Sequence, residues 1–242
     1  MKGFFMSDQI LVLAINAASM GFIHTLLGPD HYLPFIVMSK ARRWSGLKTA
    51  LITFLCGLGH VGSSILVGAV GIVFVLGLSK VEGIEGIRGD IAAWAFIAFG
   101  FIYMIWGLIR AIRNKPHKHS HFHKDGVIHE HMHTHSEDHD HVHKGEKAVS
   151  LTPWVLFIIF VLGPCEPLIP LLMYPAAKHN VLGVITVSII FAVTTIVTMI
   201  VIVLLLTYGL KALPFGRLER YTHAIAGATI FLSGCAIVFL GL

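Results

Sequence analysis

Two places in the chain put potential metal ligands directly after a Gly-Pro step: Gly28-Pro29-Asp30-His31 and Gly163-Pro164-Cys165-Glu166. Carboxylate, imidazole and thiolate together are the ligand types of late first-row transition metals. Proline removes a backbone donor and clashes with the preceding turn. Pro34 follows the first pair, and Pro167, Pro170 and Pro175 follow the second, so each pair is expected at a helix break. His24 precedes His31 by seven residues, two helical turns, and can share its face. His60 sits inside a long apolar stretch, with Ser63 and Ser64 three and four residues on. The candidate ligands are therefore His24, Asp30, His31, His60, Cys165 and Glu166, in some subset. Taken singly, several have plainer roles: His60 bonded to a carbonyl, Asp30 capping a helix, Cys165 as a small apolar packer. Glu166 resists such an account, because a carboxylate in mid-span costs about 2.5–3.5 kcal/mol on insertion scales.

A second set of histidines has a different character. His117, His119, His121, His123, His129, His131, His133, His135, His139, His141 and His143 mostly alternate with polar or charged residues. The segment 113–150 has too little apolar content to fold alone, and neutral imidazoles bind metals. It is expected to be a disordered loop that captures metal, without naming which one. A solvated linker is the plain alternative. His179 and His223 fall at span borders and receive no assignment.

The elements that position these residues follow from hydropathy. Charged residues are 13% of 242 and hydrophobic ones 55%, whereas soluble domains carry about 25% charge. Stretches without Asp, Glu, Lys or Arg, judged against the roughly 20 apolar residues a span needs, give six spans. They are 9–29, 49–79, 91–109, 148–177 (interrupted by Glu166), 179–210 and 221–242. Strands are not expected in the membrane, since an open sheet cannot span lipid. The apolar N-terminus runs into His24 and Asp30 and is taken as the first span, not a cleaved leader. Cys56, Cys165 and Cys235 all lie in apolar segments and form no CxxC pair, so no disulfide framework is expected.

Lys and Arg then sort by side. Fourteen lie in the loop after span one, in the 113–150 insert with its borders, and in the loop after span five; Lys2, Lys80, Arg88 and Lys178 lie on the other side. The positive-inside rule puts the His loop in the cytoplasm and both termini outside. The basic balance is thus an orientation signal, and no nucleic-acid partner is expected.

An internal repeat relates the halves 1–112 and 151–242. Leu27-Gly28-Pro29-Asp30-His31-Tyr32-Leu33 aligns with Leu162-Gly163-Pro164-Cys165-Glu166-Pro167-Leu168, and Gly100 aligns with Gly234. The repeat also places Thr195 and Thr198 at the positions of His60 and Ser63. Three spans per half would invert the second half relative to the first, an arrangement typical of transporters whose site lies at broken helices near the midplane.

The sequence His24-Thr-Leu-Leu-Gly-Pro-Asp30-His31, followed by Gly57-Leu-Gly-His60, resembles the nickel/cobalt transporter relatives, including UreH-like membrane proteins and the His-loop nickel/cobalt efflux proteins. The resemblance implies metal recognition by His24, Asp30, His31 and His60. Classical nickel/cobalt permeases have four residues between the first histidine and the aspartate; here there are five. The segment Gly163-Pro164-Cys165 looks like the cysteine-bearing repeats of CcdA-type thiol-electron transporters, which implies a distant relation within a CcdA/LysE-type superfamily. That group uses a reactive cysteine in each half, and Asp30 stands where the first would be.

The expected protein is an all-α, six-helix 3+3 inverted repeat in a bacterial-type inner membrane. It is expected to be a carrier rather than an enzyme, moving a divalent transition metal with no organic cofactor. Nickel or cobalt leads, zinc and copper are alternatives, and efflux is favoured over uptake. The rivals are a thiol-redox membrane protein and a small-anion exporter using helix N-termini.

Overall fold

The computed structural model describes the backbone of residues 2–113, 117–122, 128–133, 151–211 and 216–240, and side chains over 9–113, 151–210 and 218–240. The first half holds α1 (Lys2–Leu27), a 3-10 turn (Pro29–His31), α2 (Leu33–Ala41), α3 (Gly46–Val73) and α4 (Leu78–Arg113). The second holds α5 (Leu151–Leu162), α6 (Leu168–Ala177), α7 (Val181–Lys211), a 3-10 turn (Gly216–Tyr221) and α8 (Thr222–Leu240). Between the halves, β1 (His117–Phe122) and β2 (Ile128–His133) pair antiparallel, with His117 opposite His133, His119 opposite His131 and His121 opposite His129. The remainder of the expected disordered loop lies outside the described residues.

Among the described residues, five helices are long and apolar enough to cross a membrane: Gln9–Leu27, Gly46–Val73, Leu78–Arg113, Val181–Leu210 and Leu218–Leu240. Their outward faces carry Leu, Ile, Val and Phe, as lipid requires. This is an integral membrane protein. The fourth expected span, 148–177, is not one helix but the short pair α5 and α6. The cause is local. In a continuous helix the carbonyl of residue i accepts from the N–H of i+4. Pro164 and Pro167 have no N–H to give, so the carbonyls of Phe160 and Gly163 lose their i+4 donors, Phe160 keeps only the backbone N–H of Gly163, and the ladder stops.

The third span also differs from its expected bounds. Helix α4 starts at Leu78 and carries Glu82, Glu85, Arg88 and Asp90 in its first turns, a stretch that charge alone marks as loop. Glu85 is fully buried and ion-paired with Arg88 one turn along. A neutralised pair hides inside a helix in a way that a count of charges cannot register.

Helix α1 packs on α7 and α5 on α3; α3 and α7 cross each other, and α4 lies along α8. Small residues allow the last contact. A Cβ on Gly100 would meet the backbone of Phe231 and Gly227, and one on Gly227 would meet the backbone of Met104 and Gly100. Two cores result, one built around Phe35, Met38, Phe160 and Met199 and one around Ala17, Val61, Leu168 and Phe191. The two breaks and His60 lie where these cores adjoin.

Candidate metal centre

Helix α1 carries His24 in its last turn, and the Leu27-Gly28-Pro29 step ends it. The 3-10 turn that follows holds Asp30 and buried His31. His60 comes from the middle of α3, buried on the face toward the second break. These three imidazoles converge. The ring centroids of His24 and His31 are 4.6 Å apart, those of His31 and His60 5.0 Å, and those of His24 and His60 6.4 Å.

Hydrogen bonding fixes which ring nitrogens face the centre. His31 Nδ1 lies 3.1 Å from Asp30 Oδ1 and 3.2 Å from the Gly28 carbonyl. Both are acceptors, so Nδ1 carries the proton and Nε2 keeps a lone pair. His60 has the Phe160 backbone as a hydrogen-bond partner, and the Phe160 carbonyl also accepts from the Gly163 N–H at 3.1 Å. In the His31 and His60 rings a carboxylate or carbonyl holds the far nitrogen, as in metal sites where such partners set tautomer and orientation. The Nε2 atoms of His24, His31 and His60 are all buried with no hydrogen-bond partner. Buried polar nitrogens are rarely left unpaired, and three in one place are strong grounds for a ligand.

From the second half comes Cys165, fully buried. The ligand atoms of His24, His60 and Cys165 lie within 4.8 Å of one another. They need to close by about an ångström to reach metal–ligand lengths of about 2.0–2.3 Å. The breaks thus meet, and their chemistry is mixed: imidazoles from the first half, a sulfur from the second.

The six sequence candidates divide. His24, His60 and Cys165 bring their ligand atoms together, and the His31 ring packs edge-on against both imidazoles beside that set. Asp30, with a side chain 24% exposed, holds His31 instead of facing that set. Glu166 is exposed on the wall of a cavity of about 670 Å³ that leads to the imidazoles; Asp90 of α4 also lines it. The histidines of the 117–143 tract either have no described side chain or lie outside the described residues. Thr195 is buried with its hydroxyl unpartnered, against Gly21 of α1. All three cysteines are free.

One group escaped sequence reasoning. Glu85 Oε2 accepts from Ser64 Oγ at 2.8 Å and from the Cys165 backbone N–H at 3.2 Å. Arg88, paired with Glu85, donates to Ser63 Oγ at 2.6 Å and to the carbonyls of Val161 at 2.8 Å and Gly163 at 3.3 Å. The available signal was the Glu85-x-x-Arg88 spacing at i, i+3, which allows a helical ion pair.

Fold and site together define a polytopic helical membrane protein with a polar centre between two helix breaks. Its residues 33–236 match the family described as the cytochrome c biogenesis protein transmembrane region, and the chain belongs to that family. The match agrees with the distant CcdA-type relation and leaves the nickel/cobalt resemblance unsupported by comparison. No curated protein and no solved structure matches the chain.

Proposed function

We propose that the chain carries a divalent transition-metal ion across the membrane, with nickel or cobalt as the leading cargo, on the scaffold of its family. The observation that carries this reading is the set of three buried, unpartnered Nε2 atoms, on a cluster in which His24 and His60 bring ligand atoms within 4.8 Å of the Cys165 sulfur. Imidazole with one thiolate suits late first-row ions better than calcium or magnesium. A cation leaving water for this centre meets Asp90 and Glu166 on the cavity wall before the imidazoles. Binding requires a deprotonated thiol and neutral imidazoles, so loading releases a proton.

We also read the two halves as an inverted repeat. The helix order, long–turn–short–long–long in the first half, recurs in the second with α5 shorter than α1. The packing of α1 on α7 has its counterpart in α5 on α3. At the α4–α8 contact, Gly100 meets Phe231 and Gly234 meets Ile97. An offset of 134 carries the first pair onto the second, as a two-fold axis between the helices requires.

The test is titration of purified protein lacking residues 117–143 with Ni(II), Co(II) and Zn(II). We expect one ion per chain, a cobalt–thiolate absorption band lost in Cys165→Ser, and loss of binding in His60→Ala. Absence of binding without the tract would leave no metal centre in the membrane.

A second reading rests on the family match, which favours thiol redox chemistry at least as well as metal transport. In that reading Cys165 forms a mixed disulfide with a partner thiol. Trapping such an adduct on a chain whose only cysteine is Cys165, in a protein that binds no metal, would establish it. Among the described residues no second cysteine joins Cys165 at the centre: Cys56 packs in the other core, and all three are free.

A further inference from the structure

The break before α6 leaves backbone groups that something must hold. The Val161 carbonyl would bond to the Cys165 N–H in a continuous helix, but that N–H turns instead to Ser64 and Glu85. The Gly163 carbonyl would face Pro167, which has no N–H. Both freed carbonyls accept from one Nη2 of Arg88. The same nitrogen donates to Ser63 Oγ, and Ser63 Oγ donates at 2.8 Å to the carbonyl of His60. Arg88 is thus bonded to the chain on one side of Cys165 and, through Ser63, to the backbone of His60. Glu85 holds Cys165 itself. Both side chains are shielded, 1% exposed for Glu85 and 14% for Arg88.

We propose that Glu85 and Arg88 are positioning residues that set Cys165 against His60, with the guanidinium substituting for the N–H that Pro167 lacks and for the Cys165 N–H that is turned away. The proposal rests on the metal reading for its purpose but not for its geometry. Two explanations of Arg88 compete. If it only neutralises a buried carboxylate, any cation serves. If its planar fork also places the break, lysine fails, because a single ammonium does not reproduce Arg's geometry.

The experiment uses the full chain with Cys56 and Cys235 replaced by alanine, purified free of metal. The rate at which Cys165 reacts with methyl methanethiosulfonate is measured alongside melting temperature, and nickel affinity at the centre is read as the nickel concentration that half-protects Cys165, which binding to the His tract leaves unaffected. In Arg88→Lys we expect Cys165 to react about tenfold faster or more, the scale of a lost charged hydrogen bond, with nickel affinity falling in parallel. Ser63→Ala removes one arm and leaves the ion pair; it should shift both quantities in the same direction by less. Parent-like rate and affinity in Arg88→Lys would overturn the proposal. If Arg88→Lys does not fold, Ser63→Ala decides, and unchanged behaviour there overturns it as well. Faster Cys165 reaction in Arg88→Lys, where nickel does not protect Cys165 even in the parent, would uphold the positioning role and sink the metal reading.

Discussion

Asp30 and Glu166 are both carboxylates beside a Gly-Pro break, yet they stand in different relations to the three imidazoles. Asp30 accepts from His31 Nδ1 and so directs the opposite nitrogen inward. Both line the open cavity, and Glu166 is the more exposed of the two. Loss of a carboxylate that orients a liganding histidine typically costs 10–100-fold in metal affinity. In protein lacking residues 117–143, Asp30→Asn should therefore weaken nickel binding by about that factor, measured by titration. Glu166→Gln should change it less than about fivefold, as for exposed charges screened by water. Equal losses in both would mean that the charge of the cavity, and not the aim of His31, sets affinity. Residue types alone could not separate the two, because both acids follow the same motif. What distinguishes them is the neighbour each break supplies: His31 turns back onto Asp30, whereas the proline after Glu166 carries no side-chain partner.

At the scale of elements, the α4–α8 contact depends on glycine. A Cβ on Gly227 would strike the Met104 backbone, which no rotamer change can relieve, whereas Gly62 in α3 has nothing within 4 Å of the same position. Overpacking costs about 1–3 kcal/mol or more, while Gly to Ala in an open helical site gains up to about 1 kcal/mol. Gly227→Ala should lower the melting temperature of the purified protein by several degrees, and Gly62→Ala should leave it unchanged or raise it. A neutral Gly227→Ala would mean that α4 and α8 can part without loss. The Gly-Pro steps made both breaks legible in the sequence, because proline acts on its own backbone and on the turn before it. The four residues at the centre were legible too, since ionisable groups inside apolar stretches stand out. The start of α4 was not. It depends on Glu85, Arg88, Ser63 and Ser64 satisfying one another across two helices, and no one-dimensional pattern states which charges will be paired.

For the whole molecule, the two halves bring different chemistry to one point, and family membership alone does not choose between carrying a metal and passing electrons. Orientation in the bilayer bears on either function, since it decides which compartment the His tract serves. With six crossings, as in the inverted repeat proposed above, the eighteen Lys and Arg residues divide fourteen to four between the two sides. Geometry sharpens this contrast. Arg88 is consumed inside the bundle by Glu85 and the break. Arg42, from the richer side, is bonded to Thr152 and lies over the rings of Tyr103 and Trp106. Setting both aside leaves thirteen against three, and the positive-inside rule counts loop charges of this kind. The insert between α4 and α5 should therefore face the cytoplasm. A single cysteine introduced between Lys118 and Lys147, in a chain whose native cysteines are replaced, should react with a membrane-impermeant maleimide in inside-out vesicles and stay unlabelled in intact cells. Labelling in intact cells would reverse the orientation. The cavity wall bearing Asp90 and Glu166 leads to the imidazoles from the half of α4 away from the insert, so reversal would turn that cavity from the outer compartment to the cytoplasm.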